Sequence, residues 1–201
     1  MAKFIENVED LVAAYGPVSE RSLTKVVRHF TPCYRKWIEA SRFCVVSTIG
    51  PEGSDGSPRG DAGPVVQIAD DKTLLLPDWR GNNRLDTLIN IVRDDRVSLM
   101  FMVPGSNSVV RVNGRAKLST DAAFTERFEQ KGIHPTSVIV FTLDEAYFQC
   151  AKALMRSGLW SRGDDSEGLP TAGDFLKEVE ATFDGKTYDE SYPEYAKSRM
   201  W

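Results

Sequence analysis

Between Arg42 and Leu143 the apolar residues abandon helical spacing and fall into six short runs rich in β-branched and aromatic side chains. The runs are Phe43–Thr48, Pro64–Ile68, Thr73–Leu76, Val97–Val103, Val109–Leu118 and Ser137–Leu143. Asp70-Asp71, Pro104-Gly105-Ser106-Asn107 and His134-Pro135 separate several of them, and Gly50 to Gly56 reads as a dense turn closing the first. Two helical segments interrupt the series. Short strands this closely spaced argue against a βαβ sandwich and for an antiparallel barrel or strongly curved sheet, mainly β with helices added.

Helical periods occupy the rest of the chain. Ser19 suits an N-cap, and Leu23, Val26, Val27 and Phe30 follow at i, i+3, i+4 and i+7. Thr31-Pro32 restarts the pattern and turns Tyr34, Trp37 and Ile38 inward. Within the strand region, a helix is expected from near Asn82, with Leu85, Leu88, Ile89 and Val92 on one stripe, ending at Arg93-Asp94-Asp95. Another is expected from Asp121 to Lys131, stopping at Gly132. Gln149–Ser157 reads as a short helix and Gly158–Gly173 as loop. Phe175, Leu176 and Val179 mark a last helix before an acidic, aromatic tail, Asp184–Trp201. No repeat or linker divides the 201 residues, so a single domain is expected: a helical extension over 1–41, a β core over 42–160, and a C-terminal helix and tail over 161–201.

Charge and cysteine usage remove several function classes. With 25 basic and 29 acidic residues the net charge is −4, which argues against a dedicated nucleic-acid binder. No apolar run approaches the ~20 residues that span a bilayer. Met1–Glu6 has no apolar signal core, so a cytoplasmic protein with reduced thiols is expected. Cys33, Cys44 and Cys150 form no CxxC pair, and with only His29 and His134 beside them no standard zinc site assembles. The same shortage leaves little room for a Ser/His/Asp triad. Paired carboxylates such as Asp70-Asp71, Asp94-Asp95 and Asp164-Asp165 sit in turns, where solvation accounts for them. Any demanding chemistry therefore falls to a bound cofactor.

Three segments are candidates to hold one. Pro77-Asp78-Trp79-Arg80-Gly81-Asn82-Asn83-Arg84 leaves a strand and enters an amphipathic helix. Helix N-termini carry unpaired N–H groups and a partial positive charge, so two arginines there repel that pole unless an anion joins them. The same residues also read as a solvated helix start capped by Asn82 or Asn83. Ser57-Pro58-Arg59-Gly60-Asp61-Ala62-Gly63-Pro64 sets Arg59 and Asp61 among glycines that permit close approach by a flat ligand, or forms an elaborate turn with an internal ion pair. In Val109–Leu118, Val110, Val112, Ala116 and Leu118 alternate with Arg111, Asn113, Arg115 and Lys117, making one face apolar and the other cationic. Gly114 suggests a bulge or close approach, and a ligand on that face would meet Arg111 and Asn113.

The order of these segments, with Phe101-Met102-Val103-Pro104-Gly105, Lys152-Ala153-Leu154 and Arg156-Ser157-Gly158-Leu159-Trp160, resembles the pyridoxamine 5′-phosphate oxidase-like, FMN-binding split-barrel proteins. The likeness runs from about Trp37 to Trp160 and is greatest to a bacterial FMN-binding subgroup with SPRGD- and GNNR-type motifs. It implies a homodimer of six-stranded antiparallel split barrels with FMN in clefts between the subunits. It places the phosphate on Asn82, Asn83 and Arg84, with Arg80 and Arg59 beside them. The isoalloxazine would lie against backbone at Gly63–Val66, including Val65 and Val66, and at Pro77 and Asp78. Asp61 belongs to the first motif, and Arg111, Lys152 and Trp160 would approach the cofactor, from the partner chain if the cleft is shared. After Trp160 comes only Ser161-Arg162-Gly163-Asp164-Asp165 in place of the longer Arg/His substrate motif of true pyridoxamine phosphate oxidases. Oxidation of vitamin B6 is therefore not expected. The first functional expectation is an FMN-dependent oxidoreductase accepting a hydride from a nicotinamide or small organic donor. The alternatives are a non-catalytic binder of FMN, haem or deazaflavin on the same scaffold, and an empty dimerisation module.

Overall fold

The computed structural model describes residues 2–150 and 152–201. Its strands are β1 (Phe43–Gly50), β2 (Gly53–Gly60), β3 (Gln67–Ile68), β4 (Thr73–Asp78), β5 (Arg96–Met102), β6 (Val109–Ser119) and β7 (Ser137–Gln149). They form one antiparallel sheet in the order β2-β1-β5-β6-β7-β4-β3. The strands number seven where six were expected, and the sheet they form has two ends.

The additional strand is β2, where turns were expected. Gly50 pairs with Gly53, so Pro51-Glu52 alone make the turn and the next eight residues run back along β1. Three glycines and Pro58 disguise this strand. Pro58 is tolerated because β2 is an edge, where a missing N–H breaks no ladder. Conversely, the expected strand at Pro64–Ile68 contracts to Gln67–Ile68, while Val65 hands its N–H to the Ser41 carbonyl at 2.9 Å.

The sheet curls. Arg59 on β2 and Asp78 on β4 form an ion pair at 2.6 Å, although those strands stand first and sixth in the order. Five flat inter-strand steps of about 4.8 Å would hold them some 24 Å apart. The curled interior collects the inward residues of five strands, among them Cys44, Val46, Leu74, Leu99, Phe101, Val112 and Phe141. Each large side chain fully buried there contributes about 1.5–3 kcal/mol. The expected irregularity at Gly114 is present as a register shift between β6 and β7. A Cβ there would collide with the Thr142 carbonyl oxygen and come within 2.7 Å of Phe141 Cζ.

The helices are α1 (Val8–Tyr15), α2 (Glu20–Thr24), α3 (Pro32–Ala40), α4 (Asp86–Arg93), α5 (Ala122–Thr125), α6 (Lys152–Ser157), α7 (Ala172–Val179) and α8 (Gly185–Lys197). α3 starts at Pro32 as expected and buries Tyr34 and Ile38. The helix expected to run through Phe30 ends at Thr24, because Val27 exchanges two backbone hydrogen bonds with Ala146 of β7. The helix expected over Asp121–Lys131 ends after one turn, and Lys131 and Gly132 have positive φ of 54° and 77°. The tail expected from Asp184 is largely helix α8, with Pro193 inside it. Among the described residues, no helix is long and apolar enough to cross a membrane.

Candidate functional site

Arg59 pairs in register with Cys44, whose side chain is in the core, so the guanidinium also faces the interior of the curl. Asp78 ends β4. Their side chains are 20% and 16% exposed, and Arg59 Nη1 lies 2.6 Å from Asp78 Oδ1. Arg59 Nε is buried and makes no hydrogen bond, a donor left over after the ion pair. Burial pushes the Cys44 thiol up to about 12, against the lowering pull of the Arg59 charge.

Asp61, two residues on, is a second fastener. Its carboxylate accepts from Trp79 Nε1 at 2.8 Å, Gln130 Nε2 at 3.0 Å and the Ala62 N–H at 2.6 Å. The segments around Arg59 and Asp78 are therefore tied twice, Arg59 to Asp78 and Asp61 to Trp79. The reading of Ser57–Pro64 as an elaborate turn with an internal Arg–Asp pair is corrected: Ser57–Gly60 belong to β2, and the partners lie across the mouth of the curled sheet.

Beyond Trp79 the chain is exposed from Arg80 to Leu85. Asn83 and Leu85 have positive φ of 59° and 63°, uncommon for residues with a Cβ and costly for one as bulky as leucine. Helix α4 begins at Asp86, four residues later than expected. Neither Asn82 nor Asn83 caps it. Asn82 Oδ1 instead accepts from the Arg84 N–H at 3.1 Å, and the N-cap, Leu85, has no side chain able to cap. The first-turn amides of α4 thus lack a capping side chain. The positive pole is not left to cations alone: Asp86 stands in the first turn and pairs with Arg84, whose side chain is 80% exposed. The helix is fastened to the sheet by Thr87 Oγ1, which donates to Asp55, and by buried Asn90, which donates to Thr48 Oγ1 at 3.2 Å.

The other expected residues lie apart from this cluster or offer it little. Val65 and Val66 are 1% and 2% exposed and packed in the core, so only their backbone is free to line a cofactor. Pro77 is buried beside Val138 of β7. Arg111 sits on the outward face of the sheet, its guanidinium 5.4 Å from the Tyr147 ring centroid. Asn113 is engaged on both sides, accepting from Ser98 Oγ and donating to Glu145. Arg115 pairs with Asp95, so part of the charge on the face expected to be cationic is offset. A groove of about 700 Å³ between α4 and β6 is lined by Asp94, Arg96, Arg115 and Lys117 and includes none of the expected cofactor residues. Lys152 opens α6 and is exposed. Trp160 Nε1 donates to the Ser106 carbonyl at 2.8 Å, clamping the segment after α6 onto the β5–β6 turn. Sequence reasoning missed Gln130 and Trp201, whose indole meets Trp79 edge-to-face. No local pattern marks either.

Residues 30–150 match the family model for pyridoxamine 5′-phosphate oxidase. The chain belongs to that family. The matched span contains all seven strands and the Arg59–Asp78 and Asp61–Trp79 links, and leaves α1, α2 and α6–α8 outside. Among solved structures, HupZ from Group A Streptococcus is 18% identical, with 60% of this chain and 99% of that chain covered, at a TM-score of 0.50. A protein related to general stress protein 26, of the pyridoxinephosphate oxidase family, from Clostridium acetobutylicum is 15% identical over 58% of this chain and 84% of its own, at 0.46. An F420 reductase is 14% identical over 59% and 98%, at 0.42. At such identities the likeness concerns the fold alone. No curated protein matches the chain.

The donors present fit an acidic, acceptor-rich nucleotide cofactor. Arg59 Nε is buried without a partner, the first turn of α4 has no side-chain cap, and Arg84 stands beside it. Phosphate is satisfied by amides and guanidinium together.

Proposed function

We propose that the protein binds FMN and serves as a flavin-dependent oxidoreductase, working as a homodimer of split barrels with the cofactor held between subunits. The observations that carry this reading are the meeting of Arg59 with Asp78, that of Asp61 with Trp79, and the uncapped start of α4 seven residues after Trp79. Membership of the pyridoxamine 5′-phosphate oxidase family supports it.

In this reading Arg84 and the α4 amides hold the phosphate, with Arg80, Asn82 and Asn83 around it. Arg59, kept in place by Asp78, turns its spare Nε toward an acceptor on the cofactor. Asp61 fixes the Trp79 indole, so the strand end and the loop after it keep one geometry whether or not a ligand is present. Pre-positioning of this kind lowers the ordering cost of binding. When bound, the flavin supplies the ability to take a hydride from a nicotinamide or small organic donor. The outward face carrying Arg111 and Tyr147 is the one offered to a second subunit. The chain after Trp160 continues into Arg162–Asp165 and the α7–α8 segment, so a substrate other than pyridoxamine phosphate is proposed.

Titrating the cofactor-free protein with FMN tests the binding, and anaerobic mixing of the loaded protein with NADH or NADPH tests the redox role. Saturable binding followed by bleaching of the flavin absorbance at a catalytic rate is expected. Binding without bleaching by either nicotinamide or small organic donors would leave a flavin carrier, and absence of binding would overturn the proposal.

A further inference from the structure

The residues after Arg162 build a unit of their own. Helices α7 and α8 touch through Gly173 and Gly185: a Cβ on Gly185 would lie 2.8 Å from the Gly173 carbonyl carbon. Asp189 on α8 accepts from Thr171 Oγ1 at 2.5 Å and from the Gly173 N–H at 2.9 Å. Phe183, Tyr188, Tyr192 and Tyr195 line up ring against ring, with neighbouring centroids 5.6–6.3 Å apart. Among the described residues, no hydrogen bond or ion pair joins residues 163–201 to residues 2–160.

An aromatic contact does join them, and it falls at the candidate site. The indole of Trp201 meets that of Trp79 at a centroid distance of 5.4 Å and an interplanar angle of 81°. Trp201 is half-buried, whereas neighbouring Met200 is 54% exposed. The partner of Trp201 in that contact is the side chain that Asp61 fixes. An edge-to-face pair of this kind favours the docked form by roughly 2- to 10-fold, strong enough to hold the tail most of the time and weak enough to release it readily.

We propose that Trp201 is the latch of a C-terminal lid: docked on Trp79 it closes the mouth of the site formed by Arg59, Asp61 and Asp78, and its release opens the way for the cofactor. The proposal rests on the cofactor reading given above. A lid in rapid equilibrium between closed and open slows entry and exit alike, and so changes rates more than affinity. Trp201 is half-buried and lies outside the core cluster, so Trp201→Ala removes the latch without disturbing a core residue.

Two measurements test it. In protein labelled with 5-fluorotryptophan, Trp201→Ala should shift the fluorine resonance of Trp79 and leave those of Trp37 and Trp160 in place; an unmoved Trp79 signal overturns the latch. In stopped-flow mixing with FMN, Trp201→Ala should raise association and dissociation rates together by roughly 2- to 10-fold, with affinity nearly unchanged. Equal rates in both proteins, or a rise in dissociation alone, would overturn the lid, the latter making Trp201 a direct cofactor contact. If FMN binds neither protein, the cofactor reading falls, and the docking of Trp201 on Trp79 stands or falls on the fluorine shift.

Discussion

Removing Arg59 and Asp78 singly and together gives a sharp test of the geometry at the mouth of the sheet. The ion pair is 2.6 Å long and its side chains are 20% and 16% exposed. With an effective dielectric near 20, two unit charges about 4 Å apart attract by about 4 kcal/mol. Desolvation offsets part of that, leaving a coupling of about 2–3 kcal/mol. Arg59→Met strands the Asp78 carboxylate, and Asp78→Leu strands the guanidinium. Each single change is expected to cost about 3 kcal/mol, the usual penalty for a charge left without its partner in the interior. The double variant removes both charges, so the coupling brings its loss down from the additive value to about 3–4 kcal/mol. Urea unfolding followed by far-ultraviolet circular dichroism gives the three differences. Strictly additive losses, with the double variant near 6 kcal/mol, would refute the pairing and with it the curl that brings β2 to β4.

Other outcomes follow from the same structure. Gly114→Ala should destabilise the protein by about 3 kcal/mol in thermal or urea unfolding, because its Cβ would meet the Thr142 carbonyl and the Phe141 ring with backbone on one side unable to yield. Asp94 accepts side-chain hydrogen bonds from Arg96, which hold its carboxyl at about 2. The depressed value means that its contribution to stability is full above the ordinary carboxylate range near pH 4 and is lost as pH falls toward 2. Asp94→Asn should therefore flatten the fall of the urea midpoint in that window, and an unchanged acid limb would count against it. A thiol-specific reagent at pH 8 should label Cys33 and Cys150, which are exposed, and reach Cys44 only on unfolding, since burial keeps its thiol protonated up to about pH 12.

Much of this could be read before the fold was known, for identifiable reasons. β1, β5, β6 and β7 announce themselves because one face of each is buried and apolar residues recur along it at about period two. β2 stays hidden because an edge strand needs no such alternation, so glycines and Pro58 look like a turn. Its pairing is dictated by β1, not by its own composition. The truncation of the second helix has a similar cause: Val27 is drawn into a bridge with Ala146, 119 residues away, and no local periodicity carries that information. For the site, charge at the start of a helix led to Arg80–Arg84 and glycine spacing led to Arg59 and Asp61. That Arg59 would find Asp78, and Asp61 find Trp79 and Gln130, depends on the curvature of the whole sheet. Hydrophobic spacing does not encode it. The cationic appearance of β6 is tempered by contacts that its own sequence does not show, since Arg115 meets Asp95 and Asn113 meets Glu145, both from other elements.

The central claim is that the start of α4 and the fastened strand end before it receive the phosphate of a flavin nucleotide. Parallel titrations of the cofactor-free protein with FMN and with riboflavin, repeated on Arg84→Ala, address it directly. FMN should bind more tightly than riboflavin, and Arg84→Ala should weaken FMN by about 1.5 kcal/mol, roughly tenfold and at the low end for a charged hydrogen bond because Arg84 is exposed, while leaving riboflavin unaffected. Equal affinities for the two flavins, or an Arg84→Ala variant that binds FMN as well as the parent, would contradict it.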